Sequence, residues 1–173
     1  MKTFSFDAET NGLWGQAFAI GALVYDEDGN EIDRFVARLS YEHVTDQWVV
    51  DNVLPEVKSI PVTHVNYISM LNDFSAFYIN HKEGADIIVH MGMPVESRLL
   101  IDMHDLGLIG DRDGPFPLID VAGNLDQAGE DPTSVDAYCK KHQLHIGEFE
   151  GGEHNPLYDS AVAYAAYRHL KGE

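Results

Sequence analysis

Asp7 and Glu9 stand two residues apart in Phe6-Asp7-Ala8-Glu9-Thr10, and His154 precedes Asp159 by five positions near the other end of the chain. Strand side chains alternate between faces, so on a strand both carboxylates project to one side. Two like charges held that close in a partly buried site repel each other. A hard divalent cation removes the conflict and takes oxygen ligands. An imidazole, whose unperturbed pKa is about 6.5, takes a proton from water near neutral pH. Such a set can hold metal and deprotonate a water. Each motif alone has a plainer reading. The first could be two solvated acids on an exposed strand, the second a surface histidine beside a helix-stabilising aspartate. Jointly they favour chemistry.

The elements that must position these groups are legible in the pattern. Thr3 to Asp7 alternates, with Phe4 and Phe6 on one face, and Asn11-Gly12 ends the run with turn residues. Ala17 to Tyr25 is apolar and reads as a buried strand. Asp26-Glu27-Asp28-Gly29-Asn30 is a hairpin loop, and Glu31 to Leu39 alternates again. The opening is therefore an antiparallel three-stranded meander. Asp46 to Val57 reads as a helix stopped near Pro61. Tyr67, Met70, Leu71, Phe74, Phe77 and Tyr78 recur at helical spacing and mark a long core-facing helix that ends near Gly84. Asp86 to His90 is a short apolar run, expected as an interior parallel strand. Pro94 opens a helix through Met103. Pro117 to Val121 is expected as a last strand, and Thr133 to His142 as a helix capped by Thr133. Pro156 to Leu170 is the final helix, with Asn155 as its cap. Meander first, then helices alternating with strands, defines a mixed α/β fold.

At 173 residues and 45% hydrophobic, one domain spanning 1–173 is expected. Cys139 is the only cysteine, which excludes an internal disulfide and fits a reducing, cytoplasmic compartment. The start lacks a signal-peptide core, and no apolar run approaches the roughly 20 residues of a membrane span, so no membrane partner is expected. Eleven Lys plus Arg against 29 Asp plus Glu give a net charge of −18. The cations are scattered, with no basic stripe of the kind that grips long duplex DNA. This argues against tight non-specific binding to long polymers. It argues less against gripping a few terminal nucleotides, since bound metal ions add positive charge that composition omits.

Phe-Asp-x-Glu-Thr-x-Gly-Leu stands intact from Phe6 to Leu13. His154, four residues, Asp159 and then the small-residue run Ser160 to Ala166 form the closing motif. Both resemble the first and last motifs of the DEDD 3′–5′ exonucleases, in the branch whose last motif carries histidine. The resemblance runs from Phe4 to about Leu170 and covers the oligoribonuclease, ribonuclease T and polymerase-proofreading group. It implies a ribonuclease-H-like fold: a mixed sheet of antiparallel meander and parallel strands, flanked by helices. In the middle motif the family places an aspartate after a strand and near a helix start. Here that stretch holds Glu96, one methylene longer, with Asp102 nearly two turns further on; Glu96 is the expected counterpart.

The resemblance further implies that Asp7, Glu9, Glu96 and Asp159 hold two Mg²⁺ or Mn²⁺ ions, with Asp7 bridging. His154 would be the general base for a water that attacks the terminal phosphorus, releasing nucleoside 5′-monophosphates. The expected partners are 3′ ends of short or single-stranded nucleic acid, contacted by Thr10, Leu13 and Trp14. Leu13 would wedge against bases, and Trp14 either stacks on a base or packs under its turn. Homodimerisation is common among small relatives. Two rival functions stay open. A catalytically weakened binding or regulatory module is favoured by Glu96 and the absent basic stripe, and opposed by His154 and Asp159. A small-molecule phosphodiesterase using the same metals would tolerate the acidic charge.

Overall fold

The computed structural model describes residues 1–172. Three strands open the chain: β1 (Lys2–Thr10), β2 (Ala17–Tyr25) and β3 (Glu31–Arg38). Two short helices follow, α1 (Gln47–Asn52) and α2 (Leu54–Val57), and then the long α3 (Tyr67–His81). Next come β4 (Ala85–Val89), α4 (Val95–Asp105), β5 (Leu118–Asp120) and α5 (Val121–Gln127). The chain closes with α6 (Val135–His142) and α7 (Pro156–Leu170). The strands form one sheet in the order β3-β2-β1-β4-β5. The meander is antiparallel, and β4 and β5 run parallel to β1. This is the mixed α/β sheet that the alternation predicts.

β1 lies at the centre and divides the molecule. Phe4, Phe6 and Ala8 point into a core with Met70, Phe74 and Tyr78 of α3 and Leu99 and Met103 of α4. The opposite face carries Ser5, Asp7 and Glu9, and α7 crosses it. Ser5 Oγ donates to the Ser160 carbonyl at 2.7 Å, and Ser160 Oγ reaches the Gly21 carbonyl at 3.2 Å. Ala161, Ala163 and Ala166 are buried, so the small-residue run lets the helix lie close to the strands.

Gly21 sets that closeness. It is the cross-strand partner of Asp7, and its position lies under the first turn of α7. A Cβ there would meet the Pro156 carbonyl carbon at 2.5 Å and the Leu157 nitrogen at 2.6 Å, both backbone atoms that cannot swing aside. Glycine inside a strand marks a close backbone approach. Gly21→Ala is expected to lower stability by about 1–3 kcal/mol, the usual cost of overpacking. A chemical-denaturation midpoint would show it; an unchanged midpoint would mean that α7 stands off the sheet.

Three local expectations need correction. Asp46 to Val57 is two helices, not one. Asp46 caps the first, accepting from Val49 N at 3.1 Å, and the helix breaks at Val53 because Pro55 has no N–H to donate back to Asp51 and instead sits in the first turn of a new helix. Val121 does not end a strand; the Asp120 carboxylate accepts from Ala122 N at 3.0 Å and starts α5. Ser134 rather than Thr133 caps α6, because the Thr133 hydroxyl and amide are both held by Asp131.

Candidate active site

Five side chains from four places in the chain line one cleft of about 390 Å³: Asp7 and Glu9 from β1, Glu96 from α4, His154 from the loop before α7, and Asp159 from its first turn. Ligand-type atoms of Glu9, His154 and Asp159 all lie within 4.8 Å of one another. Glu96 is 3% exposed and Glu9 9%.

Each group is held by an identifiable contact. Glu96 Oε1 accepts from the Ala8 amide at 3.1 Å, which ties α4 to the strand between Asp7 and Glu9. The turn before α4 is fixed by Asp120, whose carboxylate accepts from Met91 N at 2.9 Å and Gly92 N at 3.1 Å. Asp102 is turned elsewhere, accepting from Tyr67 Oη at 2.8 Å and pairing with Arg98 at 2.6 Å. Asp159 Oδ2 accepts from the His154 amide at 2.9 Å, which folds the loop back over the helix start. His154 has φ +72°, a left-handed conformation uncommon for its type. Asn155 caps α7 by accepting from Leu157 N at 3.1 Å. Its amide also donates to the Glu56 carbonyl at 3.1 Å and the Glu150 carbonyl at 2.9 Å.

The electrostatics follow from this crowding. Burial pushes the Asp7 carboxyl up to about 7, against a hydrogen bond with Glu96 that holds it down. Glu9, Glu96 and Asp159 are all raised well above the ordinary carboxylate range, burial first and the charge of Asp7 next. Asp7 is thus the one acid that acts on the other three. Four crowded carboxylates, two buried and two half-buried, cannot all ionise without a countercharge. Their all-oxygen, anionic character fits hard divalent ions such as Mg²⁺ or Mn²⁺.

The expected substrate contacts divide. Leu13, 62% exposed, lines the cleft. Thr10 Oγ1 donates to the Gly12 carbonyl at 2.8 Å and so holds the turn; it borders a smaller hollow alongside. Trp14 is 78% exposed and lines neither. The aromatic residue at the cleft is Trp48 of α1, whose ring stands edge-on to that of His154 at 5.2 Å and 79°. The sequence reading passed over it. Its one signal was a tryptophan two residues after the α1 cap Asp46. Tyr158 donates to Asp136 at 2.5 Å, and His90 Nε2 lies 2.9 Å from the Pro132 carbonyl.

Sheet order and helix placement give a fold found among exonucleases, a DEDDh family member included. Two solved structures share it. One is exonuclease X in complex with 5′-overhanging duplex DNA, at a TM-score of 0.65 and 15% identity over 98% of this chain and 91% of that one. The other is the nuclease domain of 3′hExo, a DEDDh family member, bound to rAMP, at a TM-score of 0.65 and 13% identity over 99% of this chain and 91% of that one. At these identities the likeness is one of fold. No protein-family model matches the chain, and no curated protein matches it in sequence. Among the described residues, no helix is long and apolar enough to cross a membrane.

Proposed function

We propose that the protein is a metal-dependent 3′–5′ exonuclease that trims short or single-stranded nucleic acid to nucleoside 5′-monophosphates. The observation that carries this reading is the meeting of Asp7, Glu9, Glu96 and Asp159 in one cleft with His154 at its edge. Asp7, Glu9, Glu96 and Asp159 would together hold Mg²⁺ or Mn²⁺, two ions by the reading favoured here. When bound, the ions supply Lewis-acid charge for the attacking water and the leaving 3′ oxygen.

The chain's own residues do the rest. His154 accepts the proton of the attacking water through its imidazole. Trp48 restrains that ring from one side, and the Asp159 carboxylate anchors its backbone from the other. Glu96, bonded to the Ala8 amide, keeps its longer side chain folded back toward Asp7 rather than into solvent. This lets a glutamate stand where an aspartate is usual, and weakens the case for a merely regulatory module. Leu13 and Trp48 offer apolar surface to the terminal bases.

A 5′-labelled single strand incubated with Mn²⁺ is expected to shorten stepwise from its 3′ end, with mononucleotides as the other product. EDTA is expected to stop it. Trimming that continues in EDTA would remove the metal from the mechanism, and hydrolysis of a small phosphodiester without trimming would favour the rival enzyme.

A further inference from the structure

The walls of the cleft lack fixed positive charge. Among the described residues, none of the chain's 11 Lys and Arg lines the 390 Å³ cleft or the adjoining hollow of about 300 Å³ that shares Leu13 and Trp48 with it. Lys140 approaches the rim, but its Nζ sits 2.6 Å from Asp136, a lining residue. Glu153 borders the cleft and Asp46 the hollow. Two divalent ions would bring four positive charges, which the four central carboxylates offset. Around this lies a chain of net charge −18. What the walls offer is apolar surface, with Leu13 62% and Trp48 58% exposed.

A protein that holds single strands through Lys and Arg loses affinity as salt rises, with a log–log slope of about −0.7 per neutralised phosphate. Here the field has the other sign. Such a lining would repel each phosphate beyond the terminal one, and added salt would screen that repulsion over about 10 Å at 0.1 M.

We infer that this cleft sorts nucleic acids by length through charge: it holds the terminal nucleotides of very short single strands by their bases and repels the phosphates of longer ones. The inference rests on the nuclease reading and names the substrate class of that same site.

The test measures kcat/KM for single strands of about three, ten and twenty nucleotides at saturating Mn²⁺, across KCl from roughly 50 to 500 mM. At low salt, efficiency is expected to fall with length. Added KCl raises it for the longer strands until the lengths agree within about twofold, so the slope is zero or positive. Glu153→Lys, a charge reversal at an exposed rim position, is expected to move the slope by about −0.7 and to help the longest strand most. A wild-type slope more negative than about −0.7, or efficiency that grows with length at low salt, overturns charge sorting and leaves the exonuclease standing. Absence of mononucleotides from every strand brings down both.

Discussion

Asp7→Asn is expected to cut mononucleotide release by at least about a thousandfold and, at the same time, to stabilise the metal-free protein above neutral pH. Loss of the acid adjacent to the other three removes several kcal/mol of transition-state charge stabilisation, and every 1.36 kcal/mol is tenfold in rate. The stability effect has the opposite sign. The folded-state carboxyl titrates at about 7, against about 3.9 when unfolded, so between these values the folded protein binds more protons. Stability contributed by the neutral group is fully present below about pH 4 and is lost as pH rises through 7. The displacement corresponds to at most about 4 kcal/mol, less because the Asp7 side chain is partly exposed to water. At roughly 2–4 °C per kcal/mol, the metal-free wild type should melt several degrees lower at pH 8 than at pH 5. The asparagine variant should lose less, and Mn²⁺ should restore the wild type but not the variant. Scanning calorimetry with and without Mn²⁺ reads all four conditions. A metal-free wild type that gains stability from pH 5 to 8 would show the acids to be well solvated.

His154→Ala comes second in expected size, slowing turnover by about 10²–10⁴-fold, the usual worth of a positioned general base. The geometry makes the interpretation two-sided, since the imidazole lies within 4.8 Å of ligand atoms of both Glu9 and Asp159. A base and a ligand differ in what else they change. As a base, its removal leaves the Mn²⁺ titration midpoint within a few-fold while turnover falls. As a ligand, its removal weakens metal binding in step with turnover. We expect the first pattern, because the Asp159 carboxylate accepts from the His154 amide and Trp48 flanks the ring, both of which aim the imidazole rather than bury it. Equal losses in kcat and metal affinity would assign it to the metal.

The parts legible beforehand were those that local chemistry decides. Alternation placed Asp7 and Glu9 on the face opposite Phe4 and Phe6, and the burial of that apolar face is what the strand is for. Asn155 and Pro156 marked the start of α7 because capping is a property of neighbouring residues. What stayed hidden depends on distant partners. Gly21 looked like one more small residue in an apolar strand; its role appears only once Pro156 lies upon it. The same holds for Asn155, whose amide reaches Glu56 across 99 positions. Trp14 drew the expectation because it follows the first motif, whereas nothing local says that the Trp48 indole faces a histidine over a hundred residues away. Glu96 was legible as a first-turn acid, but its bond to the Ala8 amide was not.

The bond from Ser5 to Ser160 spans 155 positions, and the acids at the two ends of that span make one centre. Bringing such remote segments together carries the entropy of closing a very long loop, and contacts of that kind form late in folding. Until they do, Asp7 and Glu9 sit on a strand with no imidazole and no third acid from the far end. A chain still emerging from the ribosome, or one whose last helix has frayed away, therefore lacks the assembled cleft, with neither His154 nor Asp159 beside the β1 acids. The complete set of side chains and the complete fold arrive together.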